Sequence, residues 1–170
     1  MGSAAPVSAR RRHLAVALGA AIVLHNAEEG LAFARFGEPV AALLRRWGVP
    51  IEPLPWEAMR AGLIAATLVP LLLIGIATLG ARTEWKDAIL AGVAAVFLLN
   101  VFVPHVPAAV ALGGYAPGIV TALLLNLPIC TLMIREVARG GILRPSALRV
   151  ALLAGAFALP LTLAILLALR

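Results

Sequence analysis

LAVALGAAIVLHNAEEGLAFARF, residues 14–36, decides the fold. As a helix rising about 1.5 Å per residue, a run of this length crosses a hydrocarbon core of about 30 Å. It is too long and too continuous for a barrel strand, and spanning segments must satisfy their own backbone, so a helix is expected. Outward from it, the apolar pattern recurs over residues 59–79, 85–103, 118–134 and 147–169. Of the 170 residues, 62% are hydrophobic and 13% charged, and the mean hydropathy is +1.02. No soluble domain of this size needs so much apolar surface. The expectation is an all-α integral membrane protein, one domain over residues 1–170, built as a single bundle of five transmembrane helices. Residues 37–58 read as an outer loop holding one short amphipathic turn.

The formal charge of +6 comes from 14 basic against 8 acidic residues. With the N-terminus cytoplasmic, the inner side carries Arg10, Arg11, Arg12, Arg82, Lys86, Arg135, Arg139, Arg144 and Arg149, against Arg35, Arg45, Arg46, Arg60 and Arg170 outside. This excess favours N-in, C-out. Membrane lipids are the expected partners of these cations, and nucleic acid is not, because no dense basic stripe with interleaved aromatics is present. The first segment follows SARRRH but lacks a small-residue cleavage site, so it reads as a retained helix rather than a signal peptide. Cys130 is the only cysteine, which excludes an intrachain disulfide and a thiolate cluster; LNLPICTLM makes it a buried thiol.

Against this background His25, Glu28 and Glu29 are out of place. At about 100° per residue they share an arc of the first helix roughly 100° wide. A charged carboxylate at a helix centre costs roughly 2.5–3.5 kcal/mol on insertion scales, so this arc must face protein or water. Depth groups further residues with them. Glu28 lies about 22 Å and Asn100 about 21 Å from the inner end, and Asn126 about 14 Å below the outer surface, at ~1.5 Å per residue. His105, after Pro104, falls near the outer mouth of the third helix. GGYAPG, residues 113–118, predicts a tight turn there, with Tyr115 at the membrane interface. These side chains occupy one slab and are expected to meet.

HNAEE, a second histidine at His105 and YAPG together resemble a family of small bacterial membrane proteins described by an H-x-x-E-E motif, another histidine and a Y-x-P-G motif. The match carries over to His25, Glu28, Glu29, His105, Tyr115, Pro117 and Gly118. The resemblance implies a bacterial protein with an enzymatic activity of unsettled chemistry.

Three functions fit the residues. His25, Glu28, Glu29 and His105 offer donors for one divalent metal, zinc or iron, with an open position. A dimetal centre is disfavoured, since such bundles use paired Glu-x-x-His units. Without a metal, the glutamate pair could serve as proton donor and acceptor in an isomerase or cyclase. His25, Glu28, Glu29 and Tyr115 are then the candidate catalytic residues, with Asn100, Asn126, Tyr115 and Gly118 as substrate contacts. Either enzyme would take a lipid-like or other hydrophobic small molecule in the bacterial inner membrane. The third reading is a small proton or cation carrier, helped by a homodimer.

Overall fold

A computed structural model describes residues 9–46, 48 and 56–168 of the chain. Residues 1–8, most of 47–55 and the expected end of the fifth helix at Leu169 lie outside the described residues.

The chain is all helical among the described residues: α1 (Ala9–Arg46), α2 (Trp56–Thr78), α3 (Glu84–Asn100), α4 (Val106–Ala111), α5 (Ile119–Thr121), α6 (Leu127–Arg139) and α7 (Pro145–Ala168). Four stretches are long and apolar enough to cross a membrane: Ala9–Phe33, Trp56–Thr78, Glu84–Ala111 and Ile119–Arg139. Pro145–Ala158 is a shorter apolar helix.

Helix α1 passes the expected end at Phe36 and continues through Pro39 to Arg46. Proline removes one intrahelical hydrogen bond, but the VAALLRR that follows is rich in helix formers. Packing completes the case, because Leu43 joins Ala108 and Ala116 in a small apolar cluster. The third rod also outlasts its expected end at Val103. It breaks there, with Val103 at φ −146° and ψ 110°, and resumes through His105 into α4. A residue before proline is pushed out of the α region, which puts the kink at Val103–Pro104. A π-type widening over Ala122–Asn126 joins α5 to α6.

Helix α3 packs against α1, α2, α6 and α7. Its Leu90, Val93 and Phe97 meet Leu18 and Ile22 of α1 and Met133 and Val137 of α6 in the main core, where Cys130 is also buried. Small residues set the closest approach: a Cβ on Gly155 of α7 would run into the Gly92 carbonyl oxygen of α3. The outer surface is apolar, with Leu31, Leu68 and Leu72 exposed, as lipid contact requires.

Two of the charges counted for orientation, Arg11 and Arg82, are internal instead, gathered on Asp87. Asp87 is fully buried and accepts from Arg11 Nε at 2.9 Å and from Arg82 Nε at 2.8 Å. Arg11 also donates to the Ala77 carbonyl at 3.1 Å. This staple ties the start of α1 to α3 and to the C-terminal end of α2, far along the bundle from His25.

Candidate metal centre

His25 and Glu29 stand four residues apart on α1 and therefore share a face. His105 enters from the kink of the third rod, one turn past Asn100. The turn 112–118 then folds the chain back over both histidines, because Gly113 (φ +70°) and Gly118 (φ +79°) adopt left-handed backbone that a side chain would resist. Gly118 also has no room for a Cβ, which would stand 2.7 Å from His105 Cε1 and 2.9 Å from both His25 Cε1 and Glu29 Cγ.

His25, Glu29 and His105 each bring a ligand atom within 4.8 Å of the others. Glu29 Oε1 lies 3.3 Å from His105 Nε2 and 3.9 Å from His25 Nε2. The histidines are 0% and 3% exposed, while the Glu29 side chain keeps 26% of its surface open. Their rings meet edge to face with centroids 4.7 Å apart, and Phe97 stands edge to face with His25 at 6.3 Å.

The hydrogen bonds fix which ring nitrogen is bare. His105 Nδ1 lies 2.8 Å from the Pro117 carbonyl, which can only accept, so Nδ1 carries the proton. His25 Nδ1 lies 3.0 Å from Thr121 Oγ1. That hydroxyl gives its own proton to Glu28 Oε2 at 2.6 Å, so it accepts from His25. Each neutral ring thus keeps its lone pair on Nε2, the atom turned toward Glu29. Hydrogen-bonding the far ring nitrogen to a fixed acceptor is how proteins orient histidines that bind metals. Asn100 Nδ2 stands 3.0 Å from His25 Nε2 and 2.9 Å from His105 Nε2, donating one hydrogen to each.

Glu28 belongs to a different set. Its carboxylate accepts from the backbone N–H of Thr121 (2.8 Å) and Val120 (3.3 Å), the Thr121 hydroxyl, and the Tyr115 hydroxyl (3.0 Å). It therefore caps the helix start at Ile119 from across the bundle, satisfying donors that have no partner within their own helix. Tyr115 is half-open to the outside and leans on Phe36, with ring centroids 5.0 Å apart. Burial, and then the bond to Glu28, push its phenol from 10.0 up to about 12.

A sequence profile described as a protein of unknown function with an HXXEE motif matches residues 16–133. The chain belongs to this family. No curated protein and no solved structure matches it. The family segment runs from α1 into α6 and takes in every residue of the cluster. Within the HXXEE motif, His25 and Glu29 face the second histidine, and the intervening Glu28 faces Tyr115 and the turn.

Of the residues expected to meet, His25, Glu29, Asn100 and His105 do so, with Gly118 packed against them and Glu28 one hydroxyl away. Asn126 is fully buried at the end of the widened stretch, and among the described residues neither of its side-chain polar atoms has a hydrogen-bond partner. Sequence reasoning passed over Thr121, which joins Glu28 to His25. A polar residue one turn beyond Y-x-P-G, in an otherwise apolar segment, was the available signal. Asn26 was passed over as well; its amide donates to Thr67 Oγ1 at 2.8 Å and fastens α1 to α2.

Proposed function

We propose that this is a membrane-embedded metalloenzyme in which His25, Glu29 and His105 hold one divalent ion, zinc or iron, and which acts on a hydrophobic, lipid-like small molecule. The observation that carries the reading is the locked pair of tautomers. With both Nδ1 atoms committed to Thr121 and Pro117, both Nε2 lone pairs are left beside a carboxylate. Two imidazoles and one carboxylate suit either ion and leave coordination positions for water or substrate. When bound, such an ion polarises a substrate oxygen or acidifies a water. The chain's own contribution is to exclude solvent with Phe97 and the 112–118 turn, and to hold His25 in register through Thr121 and Glu28.

The surroundings support this substrate class. A groove of about 540 Å³ runs along α1 beside Glu28, lined by Leu24, Leu31, Ala32, Phe36 and Tyr115 with Arg35 at one end. Its walls suit an apolar chain entering from the bilayer. The same reading takes α7 as a fifth span and places the protein in the bacterial inner membrane with its N-terminus cytoplasmic, which reporter fusions at both termini would test.

Elemental analysis by plasma mass spectrometry on chelator-free protein in mild detergent, beside His25→Ala, tests the centre. Near-stoichiometric zinc or iron, lost in the variant, is expected. One observation favours a second reading: the Asn100 amide already satisfies both Nε2 atoms without an ion. Protein that stays metal-free after soaking would support Glu29 as the proton carrier of an isomerase or cyclase.

A further inference from the structure

Asn100 cannot keep its present hydrogen bonds if the site fills. Each Nε2 has one lone pair, and each now accepts a hydrogen from the same Asn100 nitrogen. A lone pair engaged by an N–H is not free to bind a cation. The tautomers leave no other assignment of the amide, because two bare nitrogens need the NH₂ group and would repel the oxygen. Asn100 is therefore the group that occupies the centre of the donor set in the metal-free protein.

The side chain has a direct way out. Its terminal torsion is broad and nearly two-fold, so a half-turn exchanges Nδ2 for Oδ1 with no movement of α3. That turn releases both lone pairs and presents a carbonyl oxygen, a competent ligand for a divalent ion. We propose that Asn100 is the fourth protein ligand of the centre, supplying Oδ1 after its amide turns over, and that its NH₂ group holds the two histidines together until an ion arrives. The proposal rests on the metal reading above and adds a residue to it.

The experiment is a competition between the purified protein in detergent and a chromophoric chelator for zinc, repeated with cobalt(II) so that its ligand-field absorption reports the donor set. Wild type, Asn100→Ala and Asn100→Asp are compared. Asn100→Ala loses the oxygen and the amide, and its affinity should fall by at least about tenfold, the lower end of what loss of a supporting group costs. Asn100→Asp keeps an oxygen and loses the NH₂ group; it should bind at least as tightly as wild type, with a cobalt spectrum close to it. An affinity for Asn100→Ala within roughly twofold of wild type, well short of even a supporting role, would overturn the proposal and leave the three-residue centre standing. Asn100→Asp as weak as Asn100→Ala would also overturn it, since only the NH₂ group would then matter. Wild-type protein that binds neither metal would instead remove the metal reading itself, and this proposal with it.

Discussion

Gly118→Ala is the sharpest test of the site's construction. Alanine pays twice there. Left-handed backbone costs an L-residue roughly 1–2 kcal/mol. The new methyl would also stand 2.7–2.9 Å from His105 Cε1, His25 Cε1 and Glu29 Cγ, the three groups proposed to hold the ion. Forcing a methyl into a packed interior costs typically 1–3 kcal/mol, so the total loss should be about 2–5 kcal/mol. Gly113→Ala is the matched control, because Gly113 has φ +70° but nothing within 4 Å of its Cβ. It should lose only the backbone part. Denaturant unfolding in micelles measures both, and the difference between the variants isolates the contact term. Metal content should fall in Gly118→Ala and stay at the wild-type level in Gly113→Ala. Equal stability losses together with equal metal content would refute the close approach of the turn to the histidines.

Three other perturbations separate parts of the molecule. Asp87→Ala removes the buried carboxylate that Arg11 and Arg82 share and should cost about 3–5 kcal/mol of stability, with metal content per folded protein unchanged; a loss below about 1 kcal/mol would show that the staple is solvated. Thr121→Val removes the acceptor of His25 Nδ1 and should weaken metal binding by about 10–100-fold, with Thr121→Ser restoring it; wild-type affinity in the valine variant would contradict the relay. Tyr115 is the sole tyrosine, so an ultraviolet titration reads it alone and should find a midpoint near 12. Its folded value lies above the ordinary 10.0, so its stabilising contribution is full below pH 10 and is lost as pH rises through about 12. Glu28→Gln should bring the midpoint down, because the charge and the strong acceptor are gone.

The helical class and the buried His25, Glu29 and His105 cluster were legible because long apolar segments make both signals strong. A long apolar run has few outcomes in a bilayer, and polar groups within one must find each other. Depth along each helix placed His25, Glu29, Asn100 and His105 at one level, and they meet. The same arithmetic also brought in Asn126, because depth fixes height on a helix and leaves azimuth free; the widening at Ala122–Asn126 then changes the rotation per residue. Helix ends were the less legible part. Phe36 and Val103 read as helix ends, yet packing carried α1 to Arg46 and the third rod to Ala111. Arg11 and Arg82 read as charges of the inner side, and no local pattern announces that they will be buried together with Asp87.

The two adjacent glutamates explain why the motif has the form it has. Consecutive helical residues point about 100° apart, so one ligand face cannot use both carboxylates equally. Position 29 lies one turn from His25 and shares its face; position 28 points to the neighbouring helix start. There Glu28 accepts four donors, and the nearest of them, the Thr121 hydroxyl, also sets the proton on His25. On the proposed reading, H-x-x-E-E encodes two ligands and the clamp that orients one of them. Y-x-P-G encodes the other half of the clamp: Tyr115 bonds Glu28, Pro117 supplies the carbonyl that orients His105, and Gly118 lets the turn lie against both rings. On this reading the two glutamates should fail differently when replaced by glutamine. Glu29→Gln should lose metal and keep its fold, because the amide leaves the backbone bonds of the turn intact. Glu28→Gln exchanges one of two acceptor oxygens for a donor facing other donors, so it should lose stability first and metal only as a consequence. Unfolding and metal content measured on both variants decide it, and identical losses in the two would mean that the glutamates share one role.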